Sequence, residues 1–131
     1  MRLPLLAAAL ALTKSPAIAA DCRVNISIGN HTAVPIRVVV ESRTRANPRF
    51  SSTRTEFGTP LRSLARPGGN GRVWQVEPGQ TAQGVVTFPL LGCAVERQIR
   101  YVYFCDGRER IFTLNGGART RPTDLIFVPT C

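Results

Sequence analysis

The stretch Cys93-Ala-Val-Glu-Arg-Gln-Ile-Arg-Tyr-Val-Tyr-Phe-Cys105-Asp106-Gly107-Arg108-Glu-Arg-Ile-Phe-Thr-Leu114 decides how the rest of this chain reads. Two runs rich in aromatic and β-branched residues flank Asp106-Gly107. That dipeptide suits a type I′ turn, because both central positions need a positive φ. A hairpin about it sets Ile99 opposite Leu114, Tyr101 opposite Phe112, Val102 opposite Ile111 and Tyr103 opposite Arg110. Mostly apolar side chains then face apolar ones, the arrangement that holds a register.

Strand signals continue on both sides of this hairpin. Cys22, Val24, Ile26 and Ile28 alternate with Arg23, Asn25 and Ser27, as in a half-buried strand. Pro35 to Arg43 alternates again, with Ile36, Val38 and Val40 inward and Arg37 and Glu41 outward. Val73 to Val76 and Thr81 to Phe88 read as strands about a type II turn, Glu77-Pro78-Gly79-Gln80, and Gly84 as the mark of a bulge. Asn115-Gly116-Gly117 begins a reversal, and Asp124 to Val128 makes a last strand. After residue 20 no helical periodicity of useful length occurs. About seven short strands predict an all-β chain folded as a small antiparallel β-sandwich, immunoglobulin-like or Greek-key, with a closed barrel as the rival.

The N-terminus reads as a secretory signal peptide over residues 1–20. Met1-Arg2 is basic, Leu3 to Leu12 is an apolar run too short to span a bilayer, and Ala17-Ile18-Ala19 suits a signal peptidase. No other stretch has transmembrane length. The remaining residues, 21–131, are one domain's worth. They carry four cysteines, an even number that in an exported chain predicts two disulfides. A zinc site is disfavoured, the closest two cysteines being twelve residues apart.

Strand direction predicts the pairing. If residues 94–105 form one continuous strand, Cys93 and Cys105 lie about 40 Å apart at ~3.3 Å per residue, beyond the reach of a disulfide. With that strand running upward, the hairpin descends to Leu114 and the final strand rises to Cys131, which brings Cys105 and Cys131 to the top. Counting strands backwards leaves Cys22 at the bottom beside Cys93. The expected bonds are Cys22–Cys93 and Cys105–Cys131.

Residues 43–72 differ from the rest. Long apolar alternation stops, and Ser, Thr, Pro, Gly and Asn dominate, so the segment reads as a long loop in which Leu61 and Leu64 suggest a short turn or strand. It holds Arg43, Arg45, Arg49, Arg54, Arg62, Arg66 and Arg72 against one acid, Glu56. Arginine forks grip phosphate and carboxylate bidentately, and a one-signed patch attracts acidic partners. In an exported protein those partners are lipid phosphates, acidic glycans or acidic proteins rather than nucleic acid.

Signals for chemistry are sparse. His31 is the only histidine, with no neighbouring nucleophile–acid pattern, and there is no metal-ligand cluster, phosphate-cradling glycine motif or nucleotide fingerprint. The reading is therefore a protein without enzymatic activity, cofactor or metal. Asn25-Ile26-Ser27 and Asn30-His31-Thr32 match the N-glycosylation pattern. Tyr103 facing Arg110 suggests a cation–π pair on a surface, and Trp74 reads as core.

The run Tyr103-Phe104-Cys105-Asp106-Gly107-Arg108, continuing into Ile111-Phe112-Thr113-Leu114, resembles the cysteine-bearing hairpin of periplasmic lysozyme inhibitors of the MliC type. That resemblance implies a rival activity, in which a disulfide-stapled β protein plugs a hydrolase with one of its loops. The expectation from the residues themselves is an exported binding protein that contacts an anionic envelope component or an acidic protein through the arginines of 43–72. A third reading is a structural subunit of an envelope assembly, which would self-associate through unpaired sheet edges.

Overall fold

The computed structural model describes residues 21–66, 72–89 and 92–131. The expected signal peptide over 1–20 and the glycine-rich stretch 67–71 lie outside the described residues. The ten strands among those described are β1 (Cys22–Gly29), β2 (Ile36–Arg43), β3 (Ser51–Ser52), β4 (Arg54–Phe57), β5 (Arg62–Ala65), β6 (Arg72–Val76), β7 (Thr81–Phe88), β8 (Gln98–Cys105), β9 (Arg108–Thr113) and β10 (Leu125–Phe127). They form two sheets packed as a sandwich. The smaller has the order β10-β1-β7-β4, the larger β5-β6-β2-β8-β9 with β3 added beside β2.

The central hairpin forms as its sequence predicts. Tyr101 faces Phe112, Val102 faces Ile111 and Tyr103 faces Arg110. Asp106 and Gly107 carry φ of 53° and 75°, the two positive values a type I′ turn requires. The Glu77–Gln80 turn closes through a Gln80 N–H to Glu77 carbonyl bond of 3.0 Å, with Gly79 at φ 80°.

Alternation along each long strand builds the core between the sheets. Val24, Ile26 and Ile28 of β1 and Val86 and Phe88 of β7 meet Ile36, Val38 and Val40 of β2 and Ile99 and Tyr101 of β8. Phe127 of β10 closes one side, stacked on the Tyr101 ring at 4.2 Å between centroids and set edge-on to Tyr103 at 5.2 Å. Both disulfides join the predicted partners, Cys22–Cys93 with Cα atoms 4.9 Å apart and Cys105–Cys131 at 5.8 Å. The strand count behind that pairing holds where it matters, because β1 and β10 run parallel and hydrogen-bond to one another.

Four expectations are corrected. The strand expected from residue 94 begins at Gln98, after a turn over 92–95. Gly84 marks no bulge: β7 pairs in unbroken register with β1 and β4, and a Cβ at Gly84 would meet the Glu56 carbonyl at 2.3 Å. Close strand approach is what requires glycine there. Segment 43–72 is not one long loop, since it contains β3, β4 and β5. It also carries the chain between sheets. Thr53 donates through both its N–H and its hydroxyl to the Val40 carbonyl of β2, at 2.9 and 3.0 Å, and the next residues pair with β7 of the other sheet. The total exceeds the expected seven strands because of these three short ones.

Candidate functional site

The seven arginines of 43–72 do not share one surface. The face of the larger sheet that points away from the core takes Arg43 and Arg66, together with Arg100 of β8. Glu41, placed on this outward face by the alternation of β2, is nevertheless buried, with only 4% of its side chain exposed. Its two carboxylate oxygens are each taken by a guanidinium, one by Arg66 and the other by Arg100 at 2.8 Å. Phe50 covers the same place, with Arg100 3.8 Å and Arg43 4.4 Å from its ring centroid. Arg43 also donates through Nε to the Gln98 side chain. These arginines are occupied in holding the chain that follows β2 against the sheet.

Two more are paired locally. Arg54 bridges Glu56, two residues on, at 2.8 Å in a solvent-exposed setting, and Arg72 donates to the Ser63 hydroxyl at 3.2 Å. Arg45, Arg49 and Arg62 are exposed, without an ion pair or side-chain hydrogen bond to a described residue.

Arg45 finds company from the far end of the chain. It lines a cleft of ≈ 490 Å³ with Thr44, Ala46, Ala94, Val95, Glu96, Arg119 and Arg121. Three local devices bring these segments together. The Thr44–Asn47 turn is closed by a backbone bond of 3.1 Å and by the Thr44 hydroxyl accepting from the Asn47 N–H at 3.0 Å. Residues 94–96 follow the Cys22–Cys93 disulfide. An isolated bridge, Arg97 to Thr120 with both bonds at 2.8 Å, then pins 119–121 beside them. The result sets three positive charges against one carboxylate, which concentrates positive potential at this end of the sandwich. Arg119 Nε is buried and bonded to no described residue. Arg119 and Arg121 escape a sequence reading because their only signal is two arginines in a turn-rich stretch.

The opposite end of the larger sheet carries a second groove, of ≈ 630 Å³. Leu64, Val73, Val34 and Phe104 give it an apolar lining, with Arg37, Arg62 and Asp106 beside them. Arg37 is held by the Gln75 side chain at 3.3 Å, whose amide in turn donates to Glu77.

The remaining sequence-derived candidates resolve as follows. Tyr103 and Arg110 face each other in the ladder but make no surface pair. Tyr103 is 6% exposed, its ring is on Phe127, and its hydroxyl donates to the Thr130 carbonyl at 3.0 Å. Inward alternation in β8 explains the difference. Trp74 packs against the core, edge-on to Phe57 at 5.2 Å. Asn30 of the second glycosylation pattern is fully buried, and its amide donates to the Val34 and Val76 carbonyls, so it is no acceptor site in the folded chain. His31 is exposed in the same turn. Among the described residues no three His, Cys, Asp or Glu side chains gather as a metal site would require, and no helix is long and apolar enough to cross a membrane.

Comparison with the models of known families, with curated proteins and with solved structures finds no match to this chain in any of the three.

Proposed function

We propose that this is an exported, non-enzymatic binding protein that contacts an anionic envelope component, a lipid phosphate or an acidic glycan, or an acidic protein. The contact is the end cleft, with Arg45 from the basic segment and Arg119 and Arg121 from the C-terminal stretch. The observation that carries this reading is the convergence of three arginines, from two distant segments, on one cleft with a single carboxylate. Guanidinium forks take oxyanions bidentately, and Arg49 on the adjoining exposed turn extends the positive surface. Two disulfides fit an oxidising compartment, and the N-terminal sequence fits export.

The test uses oxidised protein of residues 21–131. Binding to heparin and to vesicles containing phosphatidylglycerol is compared at low and high salt for the natural chain, for R45Q/R119Q/R121Q, and for R54Q/R72Q as a control of equal sign. Binding that weakens steeply with salt, and that only the triple variant loses, supports the cleft. Failure to bind either probe, or equal loss in both variants, overturns it. Capture of an envelope hydrolase that survives high salt and the triple variant would favour the inhibitor reading instead, because a buried hot spot is insensitive to screening.

A further inference from the structure

We infer that β9 is a self-pairing edge, through which two copies of this chain join their larger sheets around a two-fold axis at Ile111. β9 is the outermost strand of that sheet, six residues long, without proline and without a bulge; its charged residues, Arg108, Glu109 and Arg110, fill the first half, and Ile111-Phe112-Thr113 leave the second half uncharged. The hairpin determines which of its backbone groups are free. Cys105 and Arg108 close a two-residue turn, so they form a hydrogen-bonded pair, and such pairs alternate along an antiparallel ladder. Arg108, Arg110 and Phe112 therefore spend their N–H and C=O groups on β8. Those of Glu109 and Ile111 point outward, as does the N–H of Thr113, whose carbonyl begins the 3-10 turn over Leu114–Gly117. The side chains at this edge include Ile111, 53% exposed, and Phe112, 49% exposed.

Charge and register select a second copy as the occupant. In a symmetric antiparallel pair, outward-pointing residues must face outward-pointing residues, which leaves few registers. An axis at Glu109 opposes that residue to itself and Arg108 to Arg110. An axis at Arg110 opposes two guanidiniums. An axis at Phe112 overlaps only Ile111 to Thr113 of the outward-facing residues. An axis at Ile111 overlaps all of Glu109–Thr113 without opposing like charges. It places Ile111 on Ile111, Glu109 against Thr113 of the second copy, and Arg110 against the Phe112 ring of the second copy, twice by symmetry. The strand is self-complementary in this register alone.

Sedimentation velocity of oxidised residues 21–131, from low micromolar to millimolar concentration, reads the association. Amide hydrogen exchange reads the register. A dimer is expected in which the Glu109, Ile111 and Thr113 amides slow as concentration rises, while those of Arg110 and Phe112, already bonded to β8, do not change. Ile111→Pro removes an outward N–H without touching the β8 ladder, and is expected to weaken dimerisation about a hundredfold or more. Ile111→Lys keeps every backbone group and opposes two like charges across the axis; it carries the test if the proline variant folds poorly. A chain monomeric throughout the range, or a dimer indifferent to both substitutions, overturns the inference.

Discussion

Glu41 on β2 and Arg100 on β8 face each other in the ladder, and their charged groups meet at 2.8 Å on the side of the sheet turned away from the core. Arg66 reaches the other oxygen of the same carboxylate from the end of β5. A carboxylate so enclosed depends on both cations. R66M/R100M is expected to cost about 3 kcal/mol or more in urea unfolding, the charge being left without partners. Adding E41M, so that three apolar side chains replace the triad, is expected to restore most of that loss, since two desolvated ion pairs contribute little beyond packing. A triple variant less stable than the double would show that the ion pairs themselves stabilise the fold.

Tyr101 lies fully buried against Phe127, and its hydroxyl has no hydrogen-bond partner among the described residues. Burial pushes its phenol well above the ordinary tyrosine range. The folded state therefore holds this proton where the unfolded chain releases it. The stabilising difference is complete below about pH 10 and falls by about 1.4 kcal/mol per pH unit above it. Tyr101→Phe is expected to abolish that alkaline fall and to be neutral or slightly stabilising at pH 7, because an unsatisfied hydroxyl is removed with the ring kept. Denaturant titrations of both chains between neutral and strongly alkaline pH make the comparison.

Asn30 ties two turns together. Its side-chain amide donates to Val34 and Val76 at 2.8 and 2.9 Å, its carbonyl oxygen accepts from both Thr32 N–H and hydroxyl, and its backbone pairs with Gln80 and Gly79. Asn30→Ala takes a side-chain donor from the Val76 carbonyl and one of two from the Val34 carbonyl, which keeps the Thr32 hydroxyl at 3.0 Å, and a loss of about 1–3 kcal/mol is expected. Asn30→Asp sets a carboxylate against those same oxygens. Burial among carbonyls raises its pKa in the folded state, so its penalty relative to the natural chain should shrink as pH falls towards about 4 and stay constant below that.

Gly84 offers a packing test with its own reporter. An added Cβ meets the Glu56 carbonyl and the Phe57 Cα of β4 at 2.3 and 2.9 Å, both backbone atoms. Gly84→Ala should cost about 1–3 kcal/mol as β4 is pushed outward. Phe57 lies edge-on to Trp74, the single tryptophan, so the displacement should also change Trp74 fluorescence in the folded state. A normal spectrum with full stability would show that β4 yields freely.

What was legible in the chain came from local pattern. Alternation marked β1 and β2, the Glu77–Gln80 turn marked β6 and β7, aromatic and β-branched runs about Asp106-Gly107 marked β8 and β9 and set their register, and strand direction sufficed to pair four cysteines. The short strands of 43–72 were not legible as such. Two to four residues cannot establish a period, and β3, β4 and β5 exist because β2, β7 and β6 offer them open edges. Tyr103 illustrates the same limit: its register partner was readable, but what takes its ring and hydroxyl was decided by Phe127 and the Thr130 carbonyl, which arrive from the C-terminal segment.

The arginines divide along that line. Composition and local pattern determined that this is a basic, β-rich chain with four cysteines and its positive charge concentrated in 43–72. Only the tertiary structure decided which charges are spent and which remain. Arg43, Arg66 and Arg100 close over Glu41 and Phe50, whereas Arg45 meets Arg119 and Arg121 in an open cleft. The physical reason is range. Strand period and turn chemistry act over a few neighbouring residues, while a guanidinium's partner is whatever the packed sheets bring within a few ångströms of it, however distant in the chain.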